Sequence, residues 1–244
     1  MRIYFNGDSH TFGSELRNPK ETCYAYVLAK KLNGNVVDNP ARGGAGNDRI
    51  LRLTNNYLND CELGKDKFPD LIIIGWSEPS RFDWFVDGED KTLGSGEIGL
   101  SQERGLEIDP NRVKFHSDFL AGDISLLGIT RYQHNQMYNL HLRLEHLKIP
   151  HLFFNAVSSF YEIFDNPNYK QILSAAEYER EMSNQLIEFD WNNSFWKPYS
   201  IDGSFLTWGR NNDFKITQRN HLEEKAHDVF SDHLLSHLKF HKFI

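Results

Sequence analysis

Apolar residues along the chain follow two alternating patterns. Continuous apolar runs such as Leu71–Ile74 are typical of parallel strands that are covered on both faces. Between these runs, apolar residues recur at helical spacing, as at Tyr24, Val27 and Leu28. The patterns predict strands at 2–6, 35–38, 71–74 and 151–154, and helices at about 22–33, 50–61, 137–147 and 174–188 and from near 221 onward.

Strands that alternate with helices predict an α/β fold, with three α/β/α layers and a mainly parallel, flavodoxin-like sheet. We expect a single domain over residues 1–244 with two loop insertions, at about 79–118 and 156–217. A further strand is predicted near Phe205–Thr207. Long loops in a compact domain are often functional, so both insertions are candidates to border a site.

The composition is that of a globular protein, with 39% hydrophobic and 14% aromatic residues. The net charge of −7 argues against binding to a nucleic-acid backbone. No apolar run approaches the roughly 20 residues that span a bilayer. The first residues also lack a basic stretch followed by an apolar one, so no signal peptide is predicted. A cytoplasmic or virion-associated protein without a membrane partner is therefore expected.

Cysteine and histidine spacings predict no metal or other cofactor. Cys23 and Cys61 form neither a disulfide framework nor a zinc motif, and we expect buried free thiols. The histidines at positions 233, 237 and 241 recur every four residues, which is more typical of a solvated helix face.

The candidate chemistry begins where the first strand runs into Gly7-Asp8-Ser9. This order places a serine hydroxyl at the carboxyl end of a strand, which is the edge where open α/β sheets bind ligands. Such a serine can act as a nucleophile if a base reaches it. The same tripeptide also occurs as an ordinary strand-ending turn. Residues elsewhere in the chain are therefore needed to distinguish a nucleophilic serine from a simple turn.

Three further blocks follow in order. A glycine loop, Asn39–Ala45, contains Gly44; Gly75-Trp76-Ser77-Glu78 follows a buried strand; and Gln218-Arg219-Asn220-His221 lies near the C-terminus. Together with Gly7-Asp8-Ser9, these blocks resemble those of the SGNH (GDSL-like) hydrolases over nearly the whole chain. Two positions depart from the family pattern, because Ser77 replaces an asparagine and Gln218 replaces an aspartate.

The resemblance implies a serine-dependent ester hydrolase that needs no cofactor. Ser9 would be the nucleophile and His221 the base, while the backbone N–H groups of Ser9 and Gly44 and the side chain of Ser77 would stabilise the oxyanion. Gln218 would orient His221 through its amide oxygen. Asp213 or a backbone carbonyl are the alternatives for that role. His227, further into the last helix, is interpreted as a structural histidine.

The predicted substrate is a small ester, with acylated carbohydrate as one class. Trp76, Trp84 and Trp208 offer aromatic faces that suit sugars, and Asp8 adds a polar group, although ordinary packing explains each tryptophan equally well. The alternative function is a catalytically weak or inactive carbohydrate-binding or virion structural module. The segment Gly75–Arg81 resembles the divergent SGNH-like proteins of tailed phages. A homo-oligomer or a virion assembly is compatible with the sequence, and a nucleic-acid partner is not expected.

Overall fold

Four parallel strands form the central sheet of the protein. The computed structural model describes residues 1–86, 89–93, 126–160 and 186–244. The described strands are β1 (Arg2–Gly7), β2 (Asn35–Asp38), β3 (Leu71–Trp76), β4 (Phe82–Val86), β5 (Glu89–Leu93) and β6 (His151–Asn155). The sheet has the order β2-β1-β3-β6, and each neighbouring pair is parallel. This arrangement confirms the predicted α/β fold with a parallel sheet.

Helices cover both faces of the sheet. The described helices are α1 (Ser9–Phe12), α2 (Pro19–Thr22), α3 (Tyr24–Lys31), α4 (Asn47–Glu62), α5 (Leu126–Leu147), α6 (Phe205–Asn211) and α7 (Glu224–Phe240). Successive strand residues point to opposite faces, so Ile3 and Phe5 pack into one core and Tyr4 into the other. The first core is closed by α3, α6 and α7, and the second by α4 and α5.

Three predicted elements are corrected by the structure. The helix predicted at 137–147 begins earlier, at Leu126. The segment Phe205–Thr207 begins helix α6 instead of forming a strand, because the Ser204 hydroxyl caps the helix by accepting the Thr207 N–H at 3.1 Å. The last helix begins at Glu224 and not near His221. Before it, the backbone forms a turn in which the Thr217 N–H donates to the His221 carbonyl at 2.8 Å.

The two insertions are described only in part. Instead of a loop alone, the first contains the antiparallel pair β4 and β5, and its residues 94–118 lie outside the described residues. In the second, residues 161–185 lie outside them, including most of the helix predicted at 174–188. Residues 186–188 are described and are not helical.

The strand order creates a crevice between β1 and β3. The chain leaves β1 for β2 on one side and returns to β3 on the other, which is the switch point where open α/β sheets bind ligands. Gly7 and Gly75 pair at the carboxyl ends of these strands. A side chain at either glycine would collide with Thr11 of α1. The glycines therefore allow α1 to pack closely across the strand ends.

Two further predictions from the sequence concern the cysteines and membrane-spanning segments. Cys23 and Cys61 are buried and unpaired, as predicted. Within the described part of the chain, no helix is both long enough and apolar enough to cross a bilayer.

Candidate active site

Ser9 lies in a tight turn that is fixed on both sides. It is the first residue of α1, and the Asp8 carboxylate caps this short helix by accepting the His10 N–H at 2.9 Å. The Ser9 carbonyl accepts the N–H groups of Gly13 and Ser14 at 3.0 and 2.9 Å. Ser9 retains 6% exposure. The structure thus holds the candidate nucleophile at the carboxyl end of β1, where the sequence predicts it.

The glycine loop lies against the same strand end. The Arg42 N–H donates to the Gly7 carbonyl at 3.4 Å, and the Ala45 N–H donates to the Arg42 carbonyl at 3.1 Å. Between them, Gly44 adopts a left-handed φ of 77°, which glycine reaches without strain. This turn brings the glycine loop beside the residue that leads into Asp8 and Ser9.

Ser77 is held by Asn47, the first residue of α4. The Asn47 side chain accepts the Ser77 N–H at 2.7 Å and donates to the Ser77 carbonyl at 2.9 Å. The Ser77 hydroxyl lies 3.3 Å from Oδ2 of Asp8 and donates to it. A hydroxyl has only one hydrogen to donate. The hydrogen of the Ser77 hydroxyl was expected to bind the oxyanion. In this structure it is used in the hydrogen bond to Asp8 instead.

Arg81 also lies in this site, although the sequence motifs predicted no role for it. Its Nη1 lies 3.0 Å from the Ser77 hydroxyl oxygen and 3.3 Å from Oδ2 of Asp8. Complete burial raises the pKa of Asp8, while the charge of Arg81 acts in the opposite direction. The structure thus places a guanidinium beside the turn that carries Ser9. The available signal was the arginine that ends the segment Gly75–Arg81.

His221 is oriented by Glu15. Nδ1 of His221 lies 2.6 Å from Oε2 of Glu15, and the Thr217 hydroxyl donates to the same carboxylate oxygen. The Thr217 hydroxyl in turn accepts the His221 N–H at 3.0 Å. Partial burial acts to raise the pKa of Glu15, but the hydrogen bonds from Thr217 and His221 outweigh it and lower this pKa. The carboxylate is therefore held in its charged form.

Glu15, and not the predicted Gln218, lies beside Nδ1 of His221. Gln218 is exposed in the turn before His221, and no described contact joins the two side chains. Asp213, the alternative, is also exposed and has no described contact with His221. The reason is geometric: the turn points Gln218 into solvent, whereas Glu15 has a left-handed φ of 65° in the loop that follows α1. No spacing in the sequence indicates this contact.

The His221 ring lies close to the Ser9 turn. The ring of His10, the residue after Ser9, packs edge-on against the His221 ring with centroids 5.2 Å apart. Burial, followed by the charges of His221 and Arg81, holds the pKa of His10 well below its usual value. The charge of His221 also acts on Asp8. The residues on both sides of Ser9 therefore lie within electrostatic reach of His221.

Two of the predicted substrate-binding tryptophans belong to the cores. Trp76 is 1% exposed and packs against Phe153, while Trp208 is 6% exposed and packs against Phe230. Protein atoms cover both rings, so neither presents a face to a ligand, and the expectation for them is wrong. Trp84 lies on β4, and its side chain is outside the described part of the structure.

His227 is buried in the first core. Its Nδ1 accepts the Tyr24 N–H at 3.3 Å, and its ring stacks on the Tyr24 ring. Burial lowers the pKa of His227 to about 3, and nearby histidine charges act in the same direction. His227 is thus a neutral acceptor inside the fold, as expected of a structural histidine.

The fold and this site define an α/β/α protein with a serine turn, a glycine loop and a carboxylate-oriented histidine at one sheet edge. The sequence model of a protein family, described as "Family of unknown function (DUF6071)", matches residues 8–241. The chain belongs to this family. No curated protein sequence matches the chain.

Similar solved structures include an esterase and a lipase. The psychrotrophic esterase EstA from Pseudoalteromonas sp. is 11% identical, with 98% of this chain and 96% of that chain covered and a TM-score of 0.47. TesA is 14% identical, with 99% of each chain covered and a TM-score of 0.46. The lipase Lip_vut3 from a goat rumen metagenome is 15% identical, with 97% of each chain covered and a TM-score of 0.47.

Proposed function

We propose that this protein is a serine-dependent ester hydrolase, in which Ser9 is the nucleophile, His221 is the base and Glu15 positions His221. The observation that carries the proposal is the 2.6 Å contact between Nδ1 of His221 and the Glu15 carboxylate. An ionised carboxylate can only accept hydrogen bonds. Nδ1 therefore carries the hydrogen, and the lone pair of Nε2 is left to act as the base.

The reaction proceeds through an acyl-enzyme. The Ser9 hydroxyl oxygen bonds to the ester carbonyl carbon while Nε2 of His221 accepts its proton. The tetrahedral intermediate collapses, the bond to the alcohol oxygen breaks, and His221 returns the proton to the departing alcohol. Water then attacks the acyl group by the same route and releases the acid and free Ser9. Glu15 stabilises the imidazolium formed in each half-reaction.

The oxyanion needs donors aimed at the carbonyl oxygen. The backbone N–H groups of Ser9 and Gly44 fit this role, as the family resemblance implies. For the third donor we infer Arg81 in place of Ser77, because the Ser77 hydrogen is engaged by Asp8. A guanidinium has five N–H donors, and the described contacts of Arg81 with Asp8 and Ser77 use only Nη1.

The substrate class we propose is a small ester with a short acyl group. An acylated carbohydrate remains one such class, but burial of Trp76 and Trp208 removes most of the aromatic argument for a sugar. Trp84 is the remaining tryptophan of the three that were expected to face a substrate.

The test is hydrolysis of p-nitrophenyl acetate by purified protein. Ser9→Ala should lower kcat by at least about a thousandfold, because the nucleophile is lost. Ser14→Ala is the matched control, since it removes a hydroxyl from the same turn and should stay within about twofold of the unchanged protein. If Ser9→Ala and the unchanged protein hydrolyse the ester equally, the proposal is wrong. The binding or virion structural module would then replace it.

A further inference from the structure

A second cluster of polar groups lies at the other end of the sheet. His151 is the first residue of β6, whereas Ser9 follows the carboxyl end of β1. His141 and Glu145 lie one turn apart on α5, so they share one helix face. Because the strands are parallel, this cluster is separated from Ser9 by the length of the strands.

The two imidazoles face each other inside the protein. Nδ1 of His141 lies 2.8 Å from Nε2 of His151, and both residues are fully buried. Nδ1 of His151 lies 2.9 Å from the Ile149 carbonyl oxygen, which can only accept, so this nitrogen carries the hydrogen. Nε2 of His151 therefore directs a lone pair at His141.

One nitrogen of this pair has no partner among the described residues. It is Nε2 of His141, which is buried without a hydrogen bond. Buried polar atoms normally find partners, and the hydrogen bond within the pair leaves this nitrogen of His141 without one. If the hydrogen of His141 moves from Nδ1 to Nε2, two imidazole lone pairs converge on one point.

The Glu145 carboxylate lies near the same imidazole pair. One ligand atom from each of His141, Glu145 and His151 lies within 4.8 Å of the others. Glu145 is exposed, so its side chain is free to close toward the imidazoles. Two nitrogens and one carboxylate oxygen are therefore close enough together to bind one divalent cation after small movements.

We propose that His141, Glu145 and His151 bind a divalent transition metal of the Zn²⁺ class. Imidazole nitrogen favours such metals over Mg²⁺ and Ca²⁺, which prefer oxygen ligands. With metal–nitrogen bonds of about 2.0–2.1 Å, tetrahedral ligands stand about 3.3 Å apart, so the two rings would separate by roughly 0.5 Å. The Ile149 carbonyl then fixes the His151 tautomer, as outer partners of metal-ligating histidines do.

The site would be structural. It joins α5 to the start of β6, and it lies away from the serine turn. Metal binding to the folded state alone stabilises that state by mass action. Removal of the metal should therefore lower the melting temperature and leave ester hydrolysis unchanged, so the failure of this proposal is distinguishable from failure of the hydrolase proposal.

The experiment titrates chelator-treated, dialysed protein with Co²⁺ and Zn²⁺. We expect about one equivalent of Co²⁺ to give visible d–d absorption that Zn²⁺ abolishes by displacement. Glu145→Gln, at an exposed position that does not endanger folding, should weaken Zn²⁺ binding by about tenfold or more. His146→Gln, an exposed neighbour on α5, is the matched control and should bind like the unchanged protein.

A second control variant and a second measurement complete the test. His237→Gln removes the central member of the C-terminal histidine series, and it should leave binding unchanged. A hundredfold excess of Zn²⁺ over its Kd should raise the melting temperature of the unchanged protein by about 5 °C or more. The proposal is overturned if no binding tighter than about 10 μM is seen, or if Glu145→Gln binds normally while His237→Gln does not. The imidazole pair is then a structural hydrogen bond only.

Discussion

Nδ1 of His221 and Oε2 of Glu15 lie 2.6 Å apart although 206 positions separate the two residues in the chain. The histidine enters the site from the turn before α7, and the carboxylate enters from the loop that follows α1. Ser9 is the first residue of α1, the short helix that precedes this loop. The proposed nucleophile and the proposed orienting group therefore belong to one short segment, and any movement of that segment moves both.

Glu15→Gln should lower kcat for ester hydrolysis by about 10²–10⁴-fold, because an amide neither fixes the required tautomer reliably nor stabilises the imidazolium. The measurement is steady-state hydrolysis of p-nitrophenyl acetate. Gln218→Ala is the control, since this side chain points into solvent, and its kcat should stay within about twofold. A large loss in Gln218→Ala together with normal activity in Glu15→Gln would return the orienting role to position 218.

Substitution of Arg81 should distinguish its effect on the charge of Asp8 from its proposed role as an oxyanion donor. Arg81→Lys keeps a positive charge near the buried Asp8, so the melting temperature should change little, yet a lysine ammonium cannot reproduce the guanidinium fork. Loss of one oxyanion donor should lower kcat by about 10²–10³-fold with little change in KM. If Arg81→Lys has normal kcat, Arg81 only neutralises Asp8.

Stability should fall in acid because His227 is buried in its neutral form. Its pKa is about 3 in the folded protein and 6.5 ordinarily, so below pH 6.5 the unfolded chain takes up a proton that the folded chain does not. The free energy of unfolding should therefore fall by about 2 kcal/mol between pH 7.5 and pH 5 from this residue.

His227→Asn tests this assignment by denaturant unfolding at both pH values. Asparagine keeps an acceptor near the Tyr24 N–H and cannot titrate. The loss of stability between pH 7.5 and pH 5 should therefore be smaller in the variant by about 2 kcal/mol. Equal losses in the two proteins would mean that His227 becomes protonated without unfolding.

The four strands of the central sheet and most described helices could be predicted from the sequence because their patterns are local, whereas β4 and β5 were not predicted. Leu71–Ile74 is apolar at every position, and the structure buries it completely in β3. The error at Phe205–Thr207 arose because three residues are too few to show a period. There, the preceding Ser204 was the better signal, since a serine cap decides where a helix begins.

The site could be predicted only where its residues lie next to a strand end. Ser9 and Ser77 follow the ends of strands, and Gly44 belongs to a loop that lies against the end of β1. Topology alone therefore brings the three residues to one edge of the sheet. Glu15 depends on the path of an irregular loop, and no spacing rule connects it with His221. The burial of Trp76 and Trp208 is likewise a property of tertiary packing, which an aromatic side chain in the sequence does not reveal.

The most direct test of the hydrolase proposal is covalent labelling of Ser9 with a fluorophosphonate, followed by intact-mass and peptide mass spectrometry. An activated serine attacks phosphorus and expels fluoride, whereas an ordinary serine hydroxyl does not react at a comparable rate. The account predicts about one label per chain, located on Ser9, absent in Ser9→Ala and much slower to form in His221→Asn and Glu15→Gln. Protein that stays unlabelled, or a label that persists in Ser9→Ala, would contradict it.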